Sequence, residues 1–254
     1  MASWSTRRQL TYFFGFFAVI IAAAAFFASA LWPRPSCGDG RRNQGELGVD
    51  CGGVCSAVCV NETLPAQPLW ARVLPTGSGA YDLVGFVRNP NPSLTAFRLP
   101  YEMKFVDADN AVINTVKGQI SLWPGEEYPI FISDINAGKR VPTRAYLTLT
   151  GAPQWERSTS TRATLTVTGD TLVSEPTPIV KARLTNTEAK PVAGVEIVVL
   201  LSDSEHNLFA AHSTFVERLG AEESTEISFS WPRPFTSLPT FTEFYTHVAT
   251  PSAR

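Results

Sequence analysis

The four cysteines are the residues of this chain whose type and spacing could do chemistry most directly. Cys37, Cys51, Cys55 and Cys59 are separated by thirteen, three and three residues. Glycines are dense between them and apolar residues are scarce, so this segment needs covalent cross-links or a metal to become ordered. In an oxidising compartment an even number of cysteines predicts two disulfides, and the sequence leaves the three possible pairings open.

A tetrathiolate zinc site is the competing interpretation of the same cysteines. Structural zinc sites usually carry two Cys-x-x-Cys pairs, and this spacing contains none. Export from the cytoplasm, which the N-terminal segment indicates below, also favours disulfides over zinc thiolates. We therefore predict that residues 36–60 form a disulfide-rich module.

The same module contains a candidate calcium site. Asp39, Asn43, Glu46 and Asp50 offer side-chain oxygens in a glycine-rich loop. Calcium prefers several such oxygens on a flexible loop. Asp-Gly and Asn also favour turns without any ion, and a glutamate in a loop is often only solvated. Two interpretations therefore stay open: a calcium site, or a loop shaped by its turn residues.

The order of these residues carries a resemblance. The pattern C-x-D-G-x-x-N-x-x-E-x-G-x-D-C-G-G-x-C-x-x-x-C resembles a short cysteine repeat of extracellular proteins, adhesins and membrane-anchored bacterial proteins. Its most specific part runs from Glu46 to Gly53. The resemblance implies an exported location and implies no enzyme activity.

Catalytic chemistry has little support elsewhere in the sequence. His206 follows two acidic residues in a predicted hairpin turn, and we expect His212 and His247 on the solvent faces of strands. No Gly-x-Ser-x-Gly elbow, P-loop or dinucleotide fingerprint is present. In the pairs Glu126-Glu127 and Glu222-Glu223, neighbouring side chains point to opposite faces of a strand, so the two carboxylates of a pair cannot act together. We predict no catalytic residues; a hydrolase with an unrecognised site is the alternative.

Four tryptophans are candidates for binding a partner or a glycan if they are exposed. They are Trp70, Trp123, Trp155 and Trp231. β-Sandwiches commonly bury such rings, so packing in the core or between domains is the more ordinary expectation.

The N-terminal segment indicates on which side of a membrane the rest of the chain lies. A helix over residues 10–32 carries no charge and is about 34 Å long at about 1.5 Å per residue, which spans a bilayer core of about 30 Å. Arg7 and Arg8 precede it, so residues 1–9 are predicted to be cytoplasmic and residues after Trp32 extracytoplasmic. The run Ala28-Ser29-Ala30 also matches a signal-peptide cleavage site, which leaves a cleaved signal peptide as the alternative to a signal anchor.

Length and charge narrow the class of partner. The chain has 254 residues and a formal net charge of −2, without the surplus of Lys and Arg that binding to nucleic acid requires. The length allows one large domain or two domains of about 100 residues each. We expect no nucleic-acid partner; besides the membrane, which residues 10–32 (Leu10 to Trp32) contact, the expected partner is an envelope protein or a glycan.

Short alternating segments separated by turns follow residue 68, and strands at such spacing predict β-sandwiches. A shift of 96 residues places Asp107 on Asp203 and Glu126-Glu127 on Glu222-Glu223, and the strand before Asn89 matches the strand before Asn186 with a one-residue slip. We therefore predict two homologous sandwiches, residues 69–156 and 160–254. They are joined near Ser158 by a short polar segment that allows some bending.

A second resemblance rests on residues of these two halves: Gly85, Asn89, Phe105-Val106-Asp107, Leu201-Ser202-Asp203 and the turn Pro124-Gly125-Glu126. They resemble the FxLYD and late-embryogenesis-type group of immunoglobulin-like sandwiches, although the second copy has Gly220-Ala221-Glu222 at that turn. The resemblance implies an exported, often membrane-tethered module with no assigned catalytic residues.

These observations together predict an all-β protein, with two tandem immunoglobulin-like β-sandwiches behind one transmembrane helix and a small disulfide-rich module. The predicted function is that of a membrane-anchored extracytoplasmic binding or scaffold protein of the cell envelope. A calcium-dependent sensor or adhesin that uses the cysteine-rich loop is the alternative.

Overall fold

The computed structural model describes residues 4–31, 36–77, 79–158, 162–173, 177–235 and 237–249, and the helix side chains from residue 8 to residue 27. The described residues fall into two compact units, Met1–Cys55 and Ser56–Arg254. The predicted helix end at Trp32, the predicted start of the second sandwich at residue 160 and the side chains of Ala28, Ser29 and Ala30 lie outside what is described.

The N-terminal helix α1 spans Trp4–Leu31. Its segment Arg8–Phe27 is long and apolar enough to cross a membrane, and a signal sequence has the same properties. The uncharged and mostly apolar run after Arg8 explains this helix, because no charge interrupts it and Gly15 is its one glycine.

The described residues of the second unit form β-strands and a short 3₁₀ turn at Val60–Glu62. The strands are β1 Gln67–Gly77, β2 Ala80–Arg88, β3 Leu94–Val106, β4 Val112–Leu122, β5 Glu127–Asn136, β6 Arg144–Leu149, β7 Gln154–Arg157, β8 Leu165–Val173, β9 Ile179–Asn186, β10 Val192–Ser202, β11 Leu208–Leu219, β12 Ser224–Ser230 and β13 Phe241–Val248.

These strands form four antiparallel sheets. The first half of the unit contains the sheet β1-β2-β5 and the sheet β4-β3-β6, in which β7 also pairs with β3. The second half contains the sheets β11-β10-β13 and β12-β9-β8. Each half buries its own apolar cluster. The predicted all-β sandwich fold is therefore confirmed, whereas its immunoglobulin-like classification stays a prediction.

The two halves repeat one hydrogen-bonding arrangement at the end of their second strand. Asn89 and Asn186 are fully buried. The Asn89 side-chain amide donates to the carbonyls of Leu94 and Trp123, and the Asn186 amide donates to those of Lys190 and Gly220. These matches are 97 residues apart, which agrees with the slip that the sequence indicated for this strand.

The turn before β5 shows that part of the sequence alignment was one residue out of register. The Glu126 carboxylate accepts a hydrogen bond from the backbone N–H of Trp123, and the Glu223 carboxylate accepts one from that of Gly220. Glu126 is therefore equivalent to Glu223 rather than to Glu222, so matching Glu126-Glu127 with Glu222-Glu223 was wrong. Gly125 has a φ of 66° and Glu222 a φ of 54° at the same place in the two turns.

The two sandwiches pack against each other through an apolar interface. On β10, Ile197 and Val199 belong to the core of the second sandwich, whereas Val198 and Leu200 belong to the core cluster of the first. Phe86 of β2 also contacts Tyr245 of β13, with ring centroids 5.0 Å apart. The interface is buried and apolar, and the predicted bending near Ser158 stays a prediction.

Candidate functional site

All four cysteines are disulfide-bonded. Cys37 pairs with Cys55, which leaves Cys51 and Cys59 as the second pair. The predicted disulfides are therefore confirmed, and the structure selects one of the three pairings that the sequence left open. The side chains of Cys55 and Cys59 are buried, so a segment with few apolar residues uses its cystines as its core.

Among the four candidate calcium ligands, Asp39, Glu46 and Asp50 accept hydrogen bonds from nitrogen atoms of the chain. Asn43 donates to Asp39, and its buried Oδ1 has no hydrogen-bond partner among the described residues. The Asp39 carboxylate accepts from the Asn43 side chain and from the Arg41 backbone, which lowers the pKa of Asp39. Both oxygens of Asp50 accept from the Gly40 N–H, 2.9 and 3.1 Å away. The Asp39–Asn43 pair and the Asp50–Gly40 contact thus contribute to the shape of the loop.

Glu46 is the buried carboxylate of the module. One of its oxygens accepts hydrogen bonds from the backbone N–H groups of Asn43 and Asp50, both at 3.2 Å. The other lies 3.3 Å from the sulfur of Cys55. Cys37, Glu46 and Cys55 are close enough to suggest a metal site, but two sulfurs joined in a disulfide are not thiolate ligands. Calcium binding at Asp39, Asn43, Glu46 and Asp50 stays a prediction.

The three histidines take positions that the sequence described only in part. His206 is exposed at a hairpin turn, as expected, and its ring stacks on Phe241 with centroids 4.0 Å apart. The expectation that His212 and His247 decorate solvent faces was wrong. The His212 ring is half-buried and contacts the rings of Phe131 and Trp231, and the side chain of His247 is only 13% exposed.

Two of the four tryptophans are buried and the other two are half-buried. Trp123 and Trp231 are buried, and their indole N–H groups donate to the carbonyls of Val248 and Ala211. Trp70 is half-buried and stacks on Phe86, and Trp155 is half-buried in β7. The Trp123 hydrogen bond joins a turn of the first sandwich to the last strand of the second.

A polar cluster that the sequence did not indicate surrounds Glu126 beside this bond. One carboxylate oxygen of Glu126 lies 3.1 Å from Nδ1 of His247 and 3.4 Å from a guanidinium nitrogen of Arg162. Glu127 points the other way and forms an exposed ion pair with Arg88. Residues of the cluster are more than 30 positions apart in the chain, so no local pattern could have identified it.

A half-open cavity of about 450 Å³ lies where the two sandwiches meet, and we call it the seam cavity. Its wall is formed by residues 73–77 of β1, Asp82 of β2, residues 208–211 of β11 and residues 231–235. Asp82 is only 7% exposed, and burial raises the pKa of its carboxyl. Asp82 directly precedes the uncharged run from Leu83 to Val87 within the same strand, and a charge at that place is the signal that could have identified it.

A second groove of about 500 Å³ is more polar. Trp70, Arg72, His206 and Glu243 are among the side chains that line it. The Arg72 guanidinium lies over the Trp70 ring, 6.0 Å from its centroid. Aromatic and hydrogen-bonding groups therefore share one open surface.

Comparison with known proteins assigns no family. No family model matches the chain, and no curated protein matches it significantly. Among solved structures, a mutant of the Bacillus subtilis oxalate decarboxylase OxdC is 10% identical over 74% of each chain, with a TM-score of 0.13. A TM-score of that size carries no argument about fold or activity.

Proposed function

We propose that this protein is a membrane-anchored, extracytoplasmic binding or scaffold protein of the cell envelope without catalytic activity. One observation carries the proposal: all four cysteines are disulfide-bonded in a segment that follows a long apolar helix. Disulfides of this structural kind persist in oxidising compartments and are rare in the cytoplasm. This supports a location outside the membrane for the module and for the sandwiches that follow it.

The orientation follows from charge. Arg7 and Arg8 precede the apolar segment, and the positive-inside rule keeps such a terminus in the cytoplasm. The apolar segment is longer than the usual core of a cleaved signal peptide, which favours a retained, single-pass anchor.

A binding or scaffold role is supported by the shared interface of the sandwiches and by their open edges. Side chains of both sandwiches belong to one buried apolar cluster. β8 pairs with β9 on one side, and its side chains from Thr168 to Val173 are exposed. Such an edge can receive a strand of an envelope protein, whereas the groove around Trp70 and Arg72 has the aromatic and polar lining suited to a glycan.

The proposal is tested by alkylating the full-length protein before and after reduction and measuring its intact mass. We expect no alkylation before reduction and four modified thiols afterwards. A second measurement digests a C-terminal tag with protease added to intact cells whose outer layers have been removed, and we expect the tag to be lost. Four freely reacting thiols, or a protected tag, would contradict the orientation.

The same mass spectrum distinguishes an anchor from a cleaved signal peptide. A retained anchor gives the mass of the whole chain, and the protein stays in the membrane fraction after alkaline extraction. A mass that lacks the residues up to and including Ala30 would show cleavage after the Ala28-Ser29-Ala30 run and overturn the anchor while leaving export intact.

A further inference from the structure

The seam cavity contains the buried carboxylate of Asp82, which forms no ion pair with another described residue. One oxygen of Asp82 accepts a hydrogen bond from the backbone N–H of Asp134, which has a φ of 56° at an irregularity in the β2–β5 pairing. Among the described residues, the other oxygen has no hydrogen bond and no ion pair within 4.0 Å. A carboxylate that is more than nine-tenths buried is costly unless a cation or a donor compensates for its lost hydration.

Three aromatic rings form one wall of the same cavity. The ring of Phe235 contacts the rings of Trp231 and Phe209, with centroids 5.1 and 5.4 Å away. Aromatic faces attract organic cations, and rings combined with a carboxylate are a recurrent way to bind ammonium groups. Leu74 and Pro75 line the cavity as well and offer apolar surface to substituents on such a cation.

Among the described residues, none of the other charged side chains near the cavity forms an ion pair with Asp82. Arg233 lies at the exposed rim, where its guanidinium occupies the space beside Gly77 that a Cβ would fill. Arg233 is exposed and is not among the groups that shift the pKa of Asp82, whereas Asp82 is buried. His212 and Asp134 are the other titratable groups that act on Asp82, and they have opposite effects on its ionisation.

We propose that the seam cavity binds a small organic cation with apolar substituents, whose charged group meets Asp82 and whose substituents contact the wall of Phe209, Trp231 and Phe235. A cavity of about 450 Å³ is within the range that small-molecule sites occupy. This site is independent of the membrane topology proposed above, so either proposal can fail while the other stands.

The test measures binding of choline to the full-length protein by titration calorimetry at constant ionic strength. The protein is kept in a maltoside detergent, because that detergent carries no ammonium group that could compete. The neutral isostere 3,3-dimethylbutan-1-ol is titrated in parallel. We expect saturable binding of choline and at least tenfold weaker binding of the alcohol, since the two differ in charge and not in shape. Absence of saturable choline binding, or equal binding of the alcohol, would overturn the proposal.

Asp82→Asn is the decisive variant because its amide oxygen can keep the hydrogen bond to Asp134. We expect choline affinity to fall at least tenfold while the thermal unfolding temperature does not fall. Asp107→Asn is the matched control: Asp107 also accepts backbone hydrogen bonds, from Asp109 and Ala111, but it lies at a hairpin turn outside the cavity. Unchanged affinity in Asp82→Asn would contradict the assignment.

A pH series on the unmodified protein gives a readout that needs no variant. Protonation of Asp82 removes the charge that holds the cation, so choline affinity should decrease as the pH falls through the pKa of this carboxyl. Because burial raises that pKa, the loss should begin at a higher pH than for an exposed aspartate. Affinity that is constant down to the ordinary pKa range of aspartate would count against Asp82 as the ligand.

Discussion

At the scale of single residues, the two buried asparagines have the same task in both sandwiches. The Asn89 and Asn186 side chains each donate to two backbone carbonyls, and each also accepts a backbone N–H, from Asn91 and Glu188 respectively. An amide is suited to this position because it donates and accepts at once. The side chain thereby fixes the loop that follows the second strand of each copy.

The substitution Asn89→Ala should therefore lower the free energy of unfolding by about 2–4 kcal/mol, since it leaves buried backbone groups without partners. Asn186→Ala should have a similar effect. Urea unfolding followed by circular dichroism measures both. Asn114→Ala is the control: this exposed side chain bonds only its neighbour's N–H, and its loss should change stability by less than about 0.5 kcal/mol.

Asp82 gives a pH-dependent prediction about stability that is separate from ligand binding. Its pKa is raised in the folded protein, so the folded state holds its proton more tightly than the unfolded chain does. Stability from this group is complete below the unfolded pKa of about 3.9 and is lost as the pH rises through the folded value. Asp82→Asn should consequently be at least as stable as the parent at pH 7, and the difference should vanish near pH 3.

Thermal unfolding of the two proteins across that range checks the sign. A variant that is less stable than the parent at pH 7 would mean that the charged form of Asp82 is favoured by the fold. That outcome would also remove the energetic reason for expecting a cation in the seam cavity.

The calcium hypothesis is also decided at single residues. Asp39, Glu46 and Asp50 already accept hydrogen bonds from nitrogen atoms of the module, whereas the buried Oδ1 of Asn43 has no hydrogen-bond partner among the described residues. Because three of the four carboxylate or amide groups are already bonded, we expect calcium to leave the unfolding temperature of the parent protein unchanged. Scanning calorimetry in calcium and in chelator measures this. A calcium-induced rise that disappears in the double variant Asp39→Ala plus Glu46→Ala would establish the opposite.

At the scale of elements, the turn from Trp123 to Glu126 joins the two sandwiches. The Trp123 indole donates to the carbonyl of Val248, and the Glu126 carboxylate meets His247 and Arg162. The equivalent turn of the second copy has Gly220 and an exposed Glu223 in these places. The turn of the first sandwich thus contacts the second sandwich, whereas the Glu223 carboxylate of the second turn accepts a hydrogen bond from Gly220 within its own turn.

Glu126→Ala should reduce the free energy of unfolding by about 2–3 kcal/mol, because it removes a buried acceptor from the Trp123 N–H and from the side chains of Arg162 and His247. Glu223→Ala removes one exposed hydrogen bond, for which about 1 kcal/mol is expected. Chemical denaturation of this matched pair measures the difference. Equal losses would show that the inter-domain contacts of Glu126 contribute nothing beyond its own turn.

At the scale of the whole molecule, the interface between the sandwiches should make them unfold together. The side chains of Val198 and Leu200, which lie on a strand of the second sandwich, pack in the apolar cluster of the first. Neither half therefore buries all of its apolar surface alone. We expect one cooperative transition for the region from β1 to β13.

Leu200→Ala and Leu201→Ala test this on neighbouring residues of one strand. Both side chains are buried, Leu200 towards the first sandwich and Leu201 in the core of the second. Each should cost about 2–5 kcal/mol. Only Leu200→Ala should separate the calorimetric transition into two, because only it weakens the interface. Two transitions already present in the parent protein would refute the coupling.

Local patterns were enough to predict the elements of this protein. The uncharged run after Arg8 predicts α1, and the alternation in segments such as residues 99–107 predicts strands. Both signals lie within one short, continuous part of the chain. The crowded cysteines predict disulfides for a similarly local reason: a segment so poor in apolar residues has little else to hold it together.

The interface between the two sandwiches could not be predicted from the sequence and was decided by the tertiary structure. Alternation along β10 cannot tell whether Val198 and Leu200 face water or a second sandwich, and His247 was expected at the surface for the same reason. Asp82, Trp231 and Phe235 meet only after distant strands pack, as do Glu126 and His247. Periodicity specifies which side chains share a face of a strand, but the surface that covers this face is chosen by packing free energy summed over the whole domain.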